Sequence, residues 1–285
     1  MSFVFSCFAD EIDSDLAVQI REMKKNGIGH LELRGVDGKN VSEFTGQELR
    51  EIKKRLDAAD IRVSAIGSPV GKIGINDDFA PHMVVFDRIL EAAQIMGARY
   101  IRIFSFYIPK GEDAQNYFEP VCERLEQFKE KAKPQNLVLL HENEKGIFGD
   151  IAPRCKQLMD RLGDGNFRTT FDPANFVQCG QPVMEAYRML AGFIEYVHIK
   201  DAKFSDGSVV PAGYGDGEIE ALLRALYQSG YDGFLSLEPH LGEFKGFSAL
   251  EQDGKLNADS DMDAVGRFKL AADCLKKLIQ KVENN

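Results

Sequence analysis

Short apolar runs alternate with longer amphipathic stretches along this chain from end to end. Residues 3–8 (FVFSCF) read as a first strand. Residues 13–26 (DSDLAVQIREMKKN) read as a helix, with Leu16, Ile20 and Met23 on one face. Ser14 or Asp13 is the expected N-cap, and Gly27 the stop. The pattern repeats with strands at 29–35, 61–67 and 100–106, followed by helices at 46–60, 81–97 and 113–133. Further strands are expected within 138–144, 168–175, 195–202 and 234–240, and helices at about 151–163, 182–191, 217–229 and 260–282. Strands separated by helices pair in parallel through crossover connections. That alternation admits a doubly wound open sheet or a closed barrel. Eight such units in 285 residues favour the α/β barrel: a (β/α)8 TIM barrel, a single domain over 1–285. No GxGxxG follows the first strand, which removes the main support for a dinucleotide-binding sheet.

The last four expected strands share a second property: each apolar run ends in a carboxylate or an imidazole. They read LVLLHENE (137–144), RTTFDPAN (168–175), EYVHIKDA (195–202) and FLSLEPH (234–240). The groups are Glu142, Asp172, His198 and Glu238. Residues so far apart in sequence meet only where a fold gathers successive strand ends, as the C-terminal rim of a parallel barrel does. A single strand-end carboxylate is readily a structural ion pair or a loop cap. Three oxygen donors and one nitrogen donor in one set suit a divalent ion instead. Without a cation the three carboxylates would repel one another.

Composition narrows the function classes. The net charge of −10 argues against non-specific binding to nucleic acid or to an anionic membrane. No apolar run approaches the roughly 20 residues of a membrane helix. The start, MSFVFSCFADEID, lacks a basic n-region, so it is expected to be a strand rather than a signal peptide. Five cysteines with no CxxC pair fit reduced thiols in a cytoplasmic protein, and Cys7 within an apolar strand reads as an inert core thiol. A homo-oligomer is left open.

The HEN at 141–143, DPAN at 172–175, HIKD at 198–201 and LEP at 237–239 resemble the xylose isomerase-like TIM barrel superfamily, whose members include sugar (phosphate) isomerases and epimerases, inosose dehydratases and an endonuclease IV branch. The resemblance covers essentially the whole chain. It implies that Glu142, Asp172, His198 and Glu238 are ligands of one divalent metal ion, and that Glu142 and Glu238 are also the catalytic acid/base pair. Mn²⁺, Mg²⁺, Co²⁺ and Zn²⁺ all tolerate such a set. An ion that chelates adjacent carbonyl and hydroxyl oxygens stabilises an enediolate, while one carboxylate removes a proton and the other returns one. The expected substrate is a small polyhydroxylated carbonyl compound, a sugar or sugar phosphate. Epimerisation, aldose–ketose isomerisation and, with loss of a β-hydroxyl, dehydration are all within reach; a sugar-binding barrel without catalysis is a further reading. Asn175 stands where many epimerase relatives carry a second histidine, which puts the substrate rather than the metal site in question. The endonuclease branch is disfavoured, because it needs several metals and the chain has five histidines.

Other residues are candidates for substrate contact. Lys200 neutralises a developing oxyanion or pairs with Asp201; Glu32 contacts a substrate hydroxyl or forms a rim salt bridge with Arg34. His240 lies two residues past Glu238 and within reach of the mouth, and Glu144 is a candidate supporting contact. Phe106, Tyr107, Phe148 and Tyr214 are candidates for an aromatic wall, while His141 should point away from the ligands by alternation. The loops at 202–217 and 239–259 are expected on the rim, as lids or connectors. Within the first, Gly213–Gly217 (GYGDG) lacks the Lys–Ser/Thr ending of a P-loop and reads as a structural turn.

Overall fold

The computed structural model describes residues 3–241 and 263–284. Eight strands close into a barrel: β1 (Val4–Cys7), β2 (His30–Leu33), β3 (Arg62–Gly67), β4 (Tyr100–Ile103), β5 (Val138–Glu142), β6 (Phe167–Phe171), β7 (Ile194–Ile199) and β8 (Phe234–Leu237). Neighbours in sequence are neighbours in space, every pairing is parallel, and β8 closes on β1 with Phe234 opposite Val4. The helices are α1 (Leu16–Lys25), α2 (Gly46–Ala58), α3 (Phe79–Met96), α4 (Phe118–Ala132), α5 (Ala152–Leu162), α6 (Pro173–Gln178), α7 (Val183–Leu190), α8 (Ile219–Ser229) and α9 (Ala264–Glu283). Of these, α2, α3, α4, α5, α7, α8 and α9 pack each against the next. This is the (β/α)8 barrel that the alternation predicts. Among the described residues no helix is long and apolar enough to cross a membrane.

Period-2 alternation divides each strand between two environments. Leu31, Leu33, Leu139, Val197, Ile199, Leu235 and Leu237 join the large core between strands and helices. Val138, Leu140, Tyr196 and Ala65 form a separate cluster inside the barrel, with Tyr100 and Phe234 packed on it. Above this plug the interior turns polar: Ser6 Oγ lies 2.6 Å from Ser64 Oγ, which lies 2.9 Å from the Tyr196 hydroxyl. The inward rows that start on Val138, Tyr196 and Phe234 therefore run upward to Glu142, His198 and Glu238.

Several boundaries differ from the sequence expectation. Helix α1 is capped by Asp15, whose carboxylate accepts from Ala17 N and Val18 N; Asp13 is taken up by the amide of Asp15. β6 stops at Phe171, because Asp172 is the N-cap and Pro173 the first residue of α6, an Asp-Pro start that the strand reading of 168–175 passed over. β7 ends at Ile199; Asp201–Ala202 instead pairs antiparallel with Val209–Val210 inside the rim loop. The rim loop expected at 239–259 is described only through Leu241, and the start expected for the last helix, 260–262, also lies outside the described residues.

Candidate metal centre at the barrel mouth

Glu142 ends β5, Asp172 follows β6, His198 sits one residue before the end of β7, and Glu238 follows β8. All four are buried, and each offers a ligand atom within 4.8 Å of the other three. His198 Nδ1 faces Glu142 Oε1 at 3.1 Å, Glu238 Oε2 at 3.4 Å and Asp172 Oδ2 at 3.8 Å. On the far side of the ring, Nε2 lies 3.1 and 3.2 Å from the two oxygens of Glu32. A carboxylate on Nε2 favours a proton there, which leaves Nδ1 as the nitrogen that would ligate a cation held among the other three groups.

Asp172 divides its oxygens in a similar way. Oδ1 accepts from Asn175 N at 2.8 Å and so caps α6; Oδ2 accepts no hydrogen bond and lies 3.0 Å from Lys200 Nζ. A buried carboxylate oxygen without a hydrogen bond, beside two more carboxylates and an oriented imidazole, fits a divalent cation. The residues present suit the group that the sequence expects.

Two arginines fix the glutamates. Arg102 donates to Glu142 Oε2 at 2.8 Å; Arg34 donates to Glu238 Oε1 at 2.8 Å and also binds Asp10 and Glu11. Burial opposes charge on Glu142, yet His198 and Arg102 hold it well below the usual carboxylate range. Glu238 is likewise held low against burial, with Lys200 foremost and Arg34 contributing. Burial opposes the imidazolium of His198, but Glu32 and Glu142 raise its pKa well above the ordinary value. Burial lifts Glu11 to about 8 against the pull of Arg34. Removing either arginine would break a buried ion pair, typically a loss of about 3–5 kcal/mol, although His198 remains beside Glu142 and Lys200 beside Glu238.

The remaining candidates fall into place individually. Asn175 Nδ2 donates to Glu142 Oε1 at 3.2 Å and to the Asn143 carbonyl at 2.9 Å, so it supports a ligand. Lys200 bridges Asp172 and Glu238 instead of pairing with Asp201, whose carboxylate accepts from the amides of Gly213, Gly215 and Gly217. GYGDG is thus a structural turn wrapped round Asp201. Glu32 forms no rim salt bridge with Arg34: its place on the inward face of β2 puts it under His198. His240 reaches the mouth with Nε2 3.2 Å from Glu11 and 3.5 Å from Glu238; burial keeps it neutral, down to about 3, against the pull of Glu238. Glu144 pairs with Lys72 at 3.1 Å, and His141 is buried away from the ligands on Ser105 Oγ.

Phe106 corrects an expectation. Its φ of +63° breaks the strand's alternation, and its ring packs on Phe79 and Phe128, among helices α3 and α4. Phe148 is buried against Phe118, and Tyr214 is exposed on the rim loop. Among the described residues, rings at the mouth include Phe8, edge-on to His198 at 5.2 Å with Arg34 over its face, and Phe104 beneath Lys72 and Arg102. Sequence reading missed these rings and Arg102, and placed Arg34 only in a rim salt bridge rather than on Glu238. The signal was available: charged Glu32 and Arg34 alternate with Leu31 and Leu33 in HLELR, and Arg102 lies between two isoleucines in YIRIF.

With this geometry, comparison with known proteins is informative. An inosose dehydratase from Clostridium perfringens is 18% identical over 244 residues, which cover 74% of this chain and 80% of that protein. A solved structure of L-ribulose 3-epimerase superposes with a TM-score of 0.78 at 17% identity, covering 99% of this chain and 96% of that one. The IolI protein with a bound zinc atom superposes at 0.75 and 15% identity, covering 98% and 99%. At such identities the structural likenesses speak for the fold. The family described as xylose isomerase-like TIM barrel matches residues 20–264, most of the sequence, and the chain belongs to that family.

Proposed function

We propose that this chain is a divalent-metal-dependent isomerase or epimerase of a small sugar or sugar phosphate, transferring a proton at a carbon next to a carbonyl. The observation that carries this reading is the convergence of Glu142, Asp172, His198 and Glu238, with each glutamate on its own arginine. Glu142, Asp172, His198 and Glu238 would hold the ion, which when bound polarises the substrate carbonyl and offsets the charge left by proton removal.

The chain's own groups supply the rest. Glu142 and Glu238 project from different strands, and both are held ionised, the state in which a carboxylate acts as a base. One removes the proton and the other returns one to the same carbon or its neighbour. Arg102 and Asn175 fix the two oxygens of Glu142, so the base does not swing between positions. Lys200 and His240 border Glu238 and are assigned to substrate oxygens. The similarity to an inosose dehydratase favours a second reading, elimination of a β-hydroxyl at the same site.

Proton exchange in D₂O tests the proposal, using ketoses, ketose phosphates and inososes with and without Mn²⁺, followed by NMR. Metal-dependent deuterium next to the carbonyl is expected, and Glu142→Gln or Glu238→Gln should each lower turnover by about 10²–10⁴-fold. Full activity in either variant sinks the two-carboxylate mechanism. Appearance of a conjugated product by ultraviolet absorbance would assign the lyase reading instead.

A further inference from the structure

We infer that Asn143 is a positioning residue, whose side chain sets the spacing between Glu142 on β5 and Asp172 after β6. The inference rests on the metal centre proposed above and adds to it a residue that acts through the ligands.

β5 and β6 pair in parallel as far as Glu142, which lies opposite Thr170. That rung falls two residues short of the second ligand, because the chain leaves β6 for α6, with Asp172 as N-cap and Pro173 as the first helical residue. The Asn143 side chain continues the ladder where the backbone stops. Its Oδ1 accepts from Asp172 N at 3.0 Å, and its Nδ2 donates to the Asp172 carbonyl at 2.9 Å. An acceptor and a donor side by side reproduce what a neighbouring strand offers. Only one orientation of the amide serves both partners, since the flipped group would set N–H against N–H and oxygen against oxygen. The Asp172 carbonyl also takes the Phe176 amide, at the longer distance of 3.4 Å.

Asn175 closes the circuit. Its Nδ2 donates to the Asn143 carbonyl at 2.9 Å and to Glu142 Oε1 at 3.2 Å, while its backbone N donates to Asp172 Oδ1 at 2.8 Å. An amide NH2 has two hydrogens, so both are spent inside the ring. Glu142, Asn143, Asp172 and Asn175 are all buried, none more than 2% exposed. Buried backbone groups require partners, and a network in so dry a place is rigid when every member is satisfied. Cutting the ring at Asn143 leaves every ligand atom present but lets Asp172 shift against Glu142. Ligand distances to a divalent ion hold within about 0.2 Å, so even a small shift weakens the site.

The test is calorimetric titration with Mn²⁺ of the native chain, Asn143→Ala, Asn175→Ala and the double variant, at a temperature where circular dichroism shows each to be folded. Asn143→Ala is expected to bind about 10–100-fold more weakly. The double variant should match the worse of the two singles to within about twofold, since a ring already opened loses little by a second cut. A folded Asn143→Ala that binds within about twofold of the native chain overturns the inference, and so do losses that multiply in the double variant. Asn143→Ser, which keeps an acceptor for Asp172 N and gives up the donor to its carbonyl, carries the test if the alanine variant does not fold, and weaker binding is again expected. Failure of both to fold assigns Asn143 to the stability of the barrel and overturns its positioning role. Absence of Mn²⁺ binding by the native chain sinks the metal reading itself, and this inference with it.

Discussion

His198 presents Nδ1 to a metal in only one neutral tautomer, and the choice is made by Glu32, 166 residues away in sequence. Substituting Glu32→Gln tests that role. The amide can turn to donate to Nε2, which draws the proton to Nδ1 and removes the lone pair. Metal affinity should fall by about 10–100-fold, read by calorimetric titration, with ¹⁵N chemical shifts of His198 reporting the tautomer. An unchanged affinity and tautomer would reject Glu32 as the positioning group. At this scale the sequence was legible where a residue's job follows from its place at a strand end, as for Glu142, Asp172 and Glu238. It was not legible where the job depends on a partner across the barrel. Glu32 lies in β2 and Arg34 directly follows it, yet one turns to His198 and the other to Asp10, Glu11 and Glu238.

Helix α3 shows how an element is tied to the barrel's rim. Asp78 caps it, and four residues later His82 Nε2 accepts the Gly71 amide at 2.7 Å. Gly71 has φ +88°, and a Cβ there would lie 2.0 Å from the Phe104 carbonyl oxygen, so the segment holds one narrow conformation. Burial, with Arg124 adding to it, lowers His82 to about 4. In the unfolded chain the imidazole takes a proton below about pH 6.5, whereas the folded state resists until about 4. The folded state thus binds fewer protons in that window, and stability present above about pH 6.5 is lost as pH falls toward 4. Denaturant unfolding across that range should show a steeper loss in the native chain than in His82→Gln, whose side-chain oxygen can still accept from Gly71. Equal slopes would remove His82 from the account. Element boundaries were legible to within a few residues, but α6 was not: six residues leave too little periodicity to register, and the Asp-Pro start was its one local sign.

The whole molecule gathers three carboxylates and an imidazole from four strands into one buried site. Folding brings these like charges together, so a bound divalent ion should stabilise the fold as well as serve chemistry. At roughly 1,000 times its Kd the gain is about 4 kcal/mol. Calorimetric melting with Mn²⁺ and then with excess chelator should show a higher Tm with metal; equal values would argue against a metal at this site. Sequence alone determined the architecture, because alternating periods of 2 and 3.6 dictate parallel strands with crossover helices, and eight such units close a barrel. It also determined the four ligand candidates, since each interrupts an apolar run at its polar end. Only the tertiary structure decided which charge meets which. The clamps of Arg34 and Arg102, the turn around Asp201 and the removal of Phe106 from the mouth depend on side-chain direction and cross-barrel distance. Period and composition do not encode either quantity, because both are set only when all eight strands close on one another.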